Sequence, residues 1–288
     1  MRLDYFQVDA FTDRPFTGNP AAVIPLDSWP DDDGLLQAIA EENNLAETAF
    51  LAKQTRTVSD SGSEASPESV YHIRWFTPTM EVDLCGHATL AAAHVLFNHM
   101  GHKGDVVKFA TKSGELVVTR EAAAARAKVG SQLAGPESRL AMDFPARPGH
   151  AVLDMRALAA ALGVQPVEAY VARDYMAVLE SEEQVRAVRP DMDKILALDR
   201  FALMVTAKGR DCDFVSRFFA PAAGIPEDPV TGSAHCTLIP YWARVLNKPT
   251  LIARQLSLRG GTLYCTDKGE RVSIGGHAVT YMTGQIHL

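Results

Sequence analysis

Two segments of the chain share the same order of features, and this repeat limits the possible folds more than any other property of the sequence. Arg74-Trp75-Phe76-Thr77-Pro78 precedes Cys85-Gly86-His87-Ala88 and an apolar segment. Arg217-Phe218-Phe219-Ala220-Pro221 precedes Thr231-Gly232-Ser233-Ala234 and a second apolar segment, with three extra residues between the parts. Each copy predicts an aromatic strand, a proline that ends it, and a helix that begins at a glycine. We interpret the match as a two-fold duplication, with two unrelated strand-turn-helix units as the alternative.

The remaining pattern is rich in short strands. Residues 5–11, 70–76 and 213–219 alternate or are aromatic, which favours strands. Residues 88–97 and 234–246 are apolar on nearly every face, which is typical of helices that are buried on all sides, and Pro240 predicts a kink in the second. The sequence therefore predicts an α+β fold with few, buried helices.

Composition excludes several classes of protein. The 288 residues include 28 Lys and Arg against 35 Asp and Glu, so the net charge is −7, which disfavours nucleic acid or an anionic membrane as the main partner. No apolar run reaches the roughly 18–20 residues of a membrane span, and the first residues do not resemble a signal peptide. The four cysteines are scattered without a CxxC pair, which fits a reducing cytoplasm.

The two predicted helix starts are candidates for anion binding. A helix amino end offers unpaired N–H groups and partial positive charge, and glycine lets a ligand approach the backbone closely. If both ends face one cleft between the halves, the N–H groups of Gly86–Ala88 and Gly232–Ala234 would hold a small carboxylate. Ordinary capping by Thr231 and Ser233 is the alternative.

Three polar residues are candidates for proton transfer or for orienting a substrate. Glu47 lies where a helix pattern meets an apolar strand, so its carboxyl group would be partly desolvated, although a solvated strand-end Glu is the simpler interpretation. His87 at the first helix start and Asp228 before Pro229 are the others, with a helix-terminal His and a local turn as alternatives.

The sequence disfavours a two-thiol racemase, a metal site and a nucleotide site. Cys85 and Thr231 occupy equivalent places in the repeat, so a racemase with a thiol on each side of the substrate is disfavoured. His94, His99 and His102 do not share one helix face, and no HExxH, GxGxxG or P-loop motif occurs, so we predict no metal site and no nucleotide site.

Six sequence blocks resemble a known family. They are Val8-Asp9-Ala10-Phe11-Thr12, Phe16-Thr17-Gly18-Asn19-Pro20-Ala21-Ala22-Val23, Asn44-Leu45-Ala46-Glu47-Thr48-Ala49-Phe50, Arg74-Trp75-Phe76-Thr77-Pro78, Cys85-Gly86-His87-Ala88-Thr89-Leu90-Ala91 and Glu227-Asp228-Pro229-Val230-Thr231-Gly232-Ser233-Ala234-His235. Together they are similar to the phenazine biosynthesis-like (PhzF-like) proteins over essentially the whole chain.

This resemblance implies the diaminopimelate epimerase-like fold, in which two pseudo-symmetric domains each wrap a curved sheet or barrel around a central helix. It implies a first domain over residues 1–125, a second over 126–275, and a last strand, about 276–288, that returns to the first domain. It also implies a site in the cleft between the domains, a homodimer, and no cofactor or metal.

The resemblance further implies a proton-shift isomerase in which one Glu moves the proton. Glu47 matches that residue, and His87, Asp228 and Ser233 match the other polar site residues. It places Asn19 in a loop bordering the cleft. Cys85 and Ala88 depart from the phenazine enzyme, and this leaves the substrate undefined.

We expect the substrate-binding residues to be Asn19, Cys85, Gly86, Ala88, Thr231, Gly232, Ser233 and Ala234, with a small carboxylate-bearing molecule as the substrate. Two alternatives remain open at this point. One is an amino-acid racemase, epimerase or hydroxy-amino-acid dehydratase that uses Cys85 and Thr231. The other is a protein of the same fold that binds a small molecule or a partner without catalysis.

Overall fold

The computed structural model describes residues 1–54, 70–112, 114–122 and 138–288. Within these ranges the chain forms eighteen strands and six α-helices, which confirms the predicted α+β class. The strands are β1 (Arg2–Ala10), β2 (Asn19–Leu26), β3 (Glu47–Gln54), β4 (Val70–Phe76), β5 (Glu81–Val82), β6 (Val106–Thr111), β7 (Gly114–Ala122), β8 (Ser138–Pro145), β9 (His150–Ala151), β10 (Glu168–Val171), β11 (Tyr175–Val178), β12 (Leu203–Lys208), β13 (Phe214–Ala220), β14 (Ile225–Asp228), β15 (Thr250–Gln255), β16 (Gly261–Asp267), β17 (Arg271–Gly276) and β18 (Ala278–His287). The helices are α1 (Gly34–Asn43), α2 (Gly86–Asn98), α3 (Arg156–Leu162), α4 (Glu182–Ala187), α5 (Met192–Leu196) and α6 (Gly232–Leu246). None of the described helices has the length and apolar character that crossing a membrane requires.

The chain divides into two compact units. Unit 1 contains Met1–Phe16, Pro20–Met142 and Gly276–Leu288, and unit 2 contains Thr17–Asn19 and Asp143–Gly275. The domain boundary predicted between residues 125 and 126 lies outside the described residues. The division instead falls after Met142, and β18 of the last segment pairs antiparallel with β1.

Unit 1 is built around α2. The strands β2 and β3 pair in parallel, β3 and β4 antiparallel, β4 and β6 in parallel, and β6 and β7 antiparallel. Helix α2 packs against β1, β3 and β18, and ten of its thirteen residues are buried. Its many alanines keep the helix thin, so the strands approach it closely, and the prediction of a helix buried on nearly all faces is confirmed.

Unit 2 repeats this order around α6. The strands β11 and β12 pair in parallel, β12 and β13 antiparallel, β13 and β15 in parallel, and β15 and β16 antiparallel. Helix α6 lies in the chain between β13 and β15, as α2 lies between β4 and β6, and it packs against β15 and β16. The repeat predicted from the sequence is therefore a repeat of strand order within each unit. A short 3₁₀ helix, Pro221–Ala223, falls where the second copy has its extra residues.

Pro240 does not interrupt α6, which runs without a break from Gly232 to Leu246. A proline inside a helix has no N–H to donate to the carbonyl four residues earlier. Here that carbonyl belongs to Cys236, and the backbone N–H of Arg147 donates to it over 2.8 Å. A donor from elsewhere in unit 2 thus satisfies the group that the proline leaves open.

Smaller elements differ from the sequence prediction. The sequence of residues 169–179 favours strand, and they contain two strands, β10 and β11, which form a hairpin. The sequence of residues 154–162 favours an amphipathic helix, which begins at Arg156, where the carboxylate of Asp154 accepts from the Arg156 N–H. The short helices α4 and α5 were not predicted, although the side chains of Ser181 and Asp191 cap them. Helices of five or six residues are too short for a periodic pattern to reveal.

A close contact at Gly276 tests the packing of unit 1. The Phe11 side chain is fully buried, and its backbone has a φ of 62°. A Cβ atom placed on Gly276 would lie 2.5 Å from Cδ1 and 3.2 Å from Cα of Phe11. Since the Cα atom cannot move without the backbone, a methyl group has no room there.

We therefore predict that Gly276→Ala lowers the free energy of unfolding by about 1–3 kcal/mol, the range for overpacking a filled core. Gly284→Ala in β18 is the matched control, because a Cβ there meets nothing within 4 Å and should change stability by less than about 0.5 kcal/mol. Urea unfolding of both variants measures the difference. Equal stability of the two would show that Phe11 does not fill this space.

Candidate active site

Helix α2 begins directly after Cys85, which has an extended backbone. The side chain of Cys85 does not cap the helix, while Thr89 in the first turn donates its hydroxyl back to the Cys85 carbonyl over 2.5 Å. Gly86 and Ala88 present little side chain beside the first N–H groups. The local sequence thus leaves this helix end to backbone groups and the side chain of His87, which suits a ligand-binding position.

His87 lies between a carboxylate and a thiol. Its Nε2 is 3.0 Å from Oε2 of Glu47, the first residue of β3, and its Nδ1 is 3.5 Å from Sγ of Cys85. The His87 side chain is 5% exposed and the Glu47 side chain 19%. All three side chains belong to unit 1, so the structure brings Glu47, His87 and Cys85 into one row, with Glu47 the most accessible of them.

The electrostatics of this row are asymmetric. Burial raises the pKa of the Cys85 thiol, and the charge of Glu47 raises it further, while His87 acts in the opposite direction. Burial alone would lower the pKa of His87, but the sulfur of Cys85 and the carboxylate of Glu47 outweigh burial and raise that pKa well above its ordinary value. An imidazolium next to a carboxylate is therefore the favoured state of His87.

The second helix end carries a different polar cluster, in unit 2. Thr231 occupies the position before α6 that Cys85 occupies before α2. Its hydroxyl does not cap the helix; it donates to Oδ2 of Asp228 over 2.5 Å. Asn19, which is fully buried, donates from Nδ2 to Oδ1 of Asp228 over 2.8 Å and to the carbonyl of Val230 over 2.9 Å. Both oxygens of Asp228 thus accept hydrogen bonds within unit 2, which suits an orienting role more than that of a free base.

Gln255 fixes the loop between β14 and α6. Its Oε1 accepts from the Thr231 N–H over 2.9 Å, and its Nε2 donates to the carbonyl of Asp228 and to the hydroxyl of Thr231. Gln255 is 1% exposed. One buried amide therefore sets the positions of both Asp228 and Thr231.

Each unit contains an equivalent Arg–Glu ion pair, which involves the short strand before its central helix. Arg74 makes a two-pronged contact with Glu81, at 2.8 and 2.9 Å, and lies over the ring of Phe76. Arg217 makes the same contact with Glu227, at the same two distances, and lies over the ring of Phe219. Bidentate pairs of this kind fix geometry as well as adding energy. They anchor β5 and β14, the strands that lead into the two helix ends.

The remaining predicted residues lie on the first turn of α6. Gly232 and Ala234 are buried, and Ser233 is half-buried. No hydrogen bond of the Ser233 hydroxyl occurs within the described ranges, so this side chain has capacity left for a ligand. The predicted residues thus form two groups, Glu47, Cys85, Gly86, His87 and Ala88 in unit 1, and Asn19, Asp228, Thr231, Gly232, Ser233 and Ala234 in unit 2.

Five residues with a positioning role were not singled out in the sequence. Arg74 and Arg217 lie in the repeated segments, Glu227 lies in a family block, and Glu81 lies in neither. Gln255 had a usable signal: β15 alternates between exposed and buried positions, and the inward Leu251 and Ala253 are followed by an inward Gln. A polar side chain at an inward strand position must find hydrogen bonds, which marks it for attention.

The described part of the chain holds one group of side chains with metal-ligating atoms in reach of one another. A carboxylate oxygen of Glu47, Sγ of Cys85 and a ring nitrogen of His87 all lie within 4.8 Å of each other. The donor set of thiol, imidazole and carboxylate suits a borderline divalent ion such as Zn²⁺.

Comparisons with known proteins show relatives of this chain that are similar over nearly its whole length. The family model described as "Phenazine biosynthesis-like protein" matches residues 8–284. The chain belongs to this family. It is 50% identical to an uncharacterized isomerase of Pseudomonas aeruginosa, over 100% of both chains. A crystal structure of a PhzF-family protein from Enterococcus faecalis has a TM-score of 0.88 at 42% identity and covers 100% of both chains.

The fold is shared more widely than the sequence. A hydroxyproline epimerase from Agrobacterium vitis has a TM-score of 0.58 at 11% identity, covering 99% of this chain and 92% of its own. At that identity only the fold is shared. The predicted epimerase-like fold and the resemblance to the phenazine biosynthesis-like family are confirmed, and membership among relatives named isomerases confirms the isomerase class. The roles of individual residues stay predictions.

We predict that Gln255→Leu lowers the free energy of unfolding by about 2–4 kcal/mol, because it leaves the buried N–H of Thr231 without an acceptor and the Asp228 carbonyl without this donor. Gln285→Leu is the control, since Gln285 is exposed and makes one hydrogen bond, to Asp4. Urea unfolding compares the two. A loss below about 0.5 kcal/mol for Gln255→Leu, the range of surface changes, would contradict the positioning role.

His235 on α6 gives a prediction for pH. Burial lowers the pKa of His235 to about 4, and its Nδ1 lies 2.8 Å from the Thr231 carbonyl. Because the unfolded state has the higher pKa, the stability held by neutral His235 is present above about pH 6.5 and is lost as the pH falls through 6.5 towards 4. The loss reaches about 3 kcal/mol at about pH 4.

We expect His235→Gln to be less stable than the unchanged protein at pH 7.5, and the gap to shrink by about 3 kcal/mol on going to pH 4. Unfolding curves across that range measure the gap. A gap that is constant with pH would show that folding does not lower the pKa of His235.

Proposed function

We propose that this protein is a cofactor-independent isomerase that moves a proton between two carbon atoms of a small carboxylate-bearing substrate, with Glu47 as the acid/base. The observation that carries the proposal is the position of Glu47, a partly exposed carboxylate 3.0 Å from Nε2 of a buried His87, at the amino end of α2. A general base must be accessible to the substrate and fixed in direction, and this arrangement meets both needs.

The reaction needs no atoms beyond those of the substrate and Glu47. The carboxylate of Glu47 takes a proton from an activated carbon, and the electron pair of the broken C–H bond enters the π-system of the substrate. The carboxylic acid then returns the proton to a second carbon, where a new C–H bond forms and the Glu47 carboxylate is restored. His87 holds the direction of the carboxylate throughout, because Cys85 and the first turn of α2 hold the imidazole on its other side.

Two further features support a carboxylate-bearing substrate. The side chains of Cys85 and Thr231 do not cap their helices, so the backbone N–H groups at both amino ends suit an anion. Ser233 on the first turn of α6 adds a hydroxyl. The family resemblance implies that both helix ends serve a single substrate in a cleft, and this element of the proposal rests on the resemblance.

The amide variant Glu47→Gln tests the acid/base role, because it keeps the shape of the side chain and removes its basicity. The test is a screen of small carboxylates in D₂O, in which NMR and mass spectrometry follow the entry of deuterium into carbon positions. We expect the deuterium exchange and turnover to fall at least about 100-fold in Glu47→Gln, the lower range for loss of a general base. Glu42→Gln, an exposed position in α1, should leave the rate unchanged.

Full activity of Glu47→Gln would reject Glu47 as the proton carrier. The same screen separates the second candidate, racemisation of an amino acid, which the buried thiol of Cys85 3.5 Å from Nδ1 of His87 favours. Deuterium at the α-carbon of an amino acid, lost in Cys85→Ser, would identify that reaction. Absence of exchange in every compound would favour a binding role.

A further inference from the structure

The side chains of Glu47, His87 and Cys85 form a group that could hold a metal ion, which a Glu-based proton shift does not need. Such a proton shift requires the carboxylate and a neighbour that orients it, and it uses the Cys85 thiol only as a contact of His87. Cys85 is 6% exposed and His87 4%, and both are held at the start of one helix, two residues apart. A buried thiol beside an imidazole and a carboxylate is a donor set typical of zinc sites.

The distances fit a metal ion on the sulfur side of the imidazole. Zn–S bonds of about 2.3 Å and Zn–N bonds of about 2.0–2.1 Å in a tetrahedral site place sulfur and nitrogen about 3.5 Å apart. Sγ of Cys85 and Nδ1 of His87 are 3.5 Å apart, so this edge of the tetrahedron exists already.

Glu47 supplies the third donor. A carboxylate oxygen of Glu47 lies within 4.8 Å of the ligand atoms of Cys85 and His87, and a tetrahedral edge to oxygen is about 3.4–3.6 Å, so the carboxylate has to rotate from Nε2 towards the sulfur side of the imidazole to complete the set. The Glu47 side chain is the most exposed of the three, which leaves it the most freedom to rotate. Oε2 of Glu47 is buried and lies 3.0 Å from Nε2 of His87, and a bound cation would take the place of this contact.

We propose that Cys85, His87 and Glu47 form a binding site for a borderline divalent cation of the Zn²⁺ class, and that the ion displaces to solvent the protons that Cys85 and His87 carry. Three protein ligands leave the fourth position to water or to a carboxylate. When bound, the ion occupies the carboxylate and the imidazole that the proposed isomerase needs, so it acts as a reversible inhibitor. Binding itself follows from the geometry of unit 1, and only the inhibition rests on the proposed function.

Cobalt(II) is the probe, because it replaces zinc and reports its ligands through absorption. The test is a titration of the full chain with Co²⁺ that records the sulfur-to-cobalt charge-transfer band and the d–d bands. Zn²⁺ is then added to displace Co²⁺. We expect one ion per chain, a charge-transfer band, and d–d intensity typical of four-coordinate cobalt. No substrate is needed, so the result stands whether or not the isomerase proposal does.

Variants assign the ligands. Cys85→Ser and Cys85→Ala should abolish the charge-transfer band, and Cys85→Ser, His87→Gln and Glu47→Gln should each weaken the ion affinity at least about 10- to 100-fold, the loss seen even for residues that only support a ligand. Cys212→Ser is the control, since Cys212 is a half-buried thiol of unit 2 whose loss should change neither band nor affinity.

Circular dichroism and unfolding curves establish that each variant is folded, and the two Cys85 variants cover the case in which one does not fold. Cobalt binding without a charge-transfer band, or binding that both Cys85 variants retain in full, overturns the proposal. If the ion binds as expected but Zn²⁺ leaves turnover in the deuterium screen unchanged, the site stands and the isomerase role of Glu47 is wrong.

Discussion

The burial of one apolar helix in each unit is the constraint on which the rest of the structure depends. A helix that is buried along its length gains its stability from packing, but the N–H groups of its first turn still need partners. In α2 and α6 the residue before the helix does not supply that partner from its side chain. Both helix ends are therefore electropositive positions that the fold holds in place.

The strands around each helix hold those ends with repeated polar contacts. Arg74 with Glu81, and Arg217 with Glu227, fix the short strand that leads into each helix, and the aromatic ring under each guanidinium keeps it in position. In unit 2, Gln255 adds a buried amide that ties Asp228 to Thr231. Since these contacts recur at equivalent places, the two units share the support of their helix ends and differ in their polar side chains. Cys85 and His87 stand in one unit where Thr231 and Ser233 stand in the other.

Because the two units carry different polar side chains at their helix ends, the proposed chemistry is asymmetric. The polar groups of unit 1 form a row with capacity to spare, in which Glu47 is accessible and His87 is held between two partners. The carboxylate of Asp228 in unit 2 already accepts hydrogen bonds from Asn19 and Thr231. The two units therefore do not carry equivalent bases, as a two-base racemase would require.

Much of this organisation could be predicted from the chain alone. Local periodicity indicated α2 and α6, the aromatic strands before them, and the two-fold repeat, because helix burial and strand pairing leave a pattern in consecutive residues. The blocks around Glu47, His87 and Asp228 identified the family. Local patterns of this kind do not predict contacts between residues that are distant in sequence. The placement of Glu47 beside His87, the Arg147 N–H that satisfies the carbonyl left open by Pro240, and the clamp formed by Gln255 arise only when distant segments pack together. Sequence determined which side chains and which helix ends were available, and the tertiary structure decided which of them lie within hydrogen-bonding distance, because that distance depends on how the strands pair around each helix.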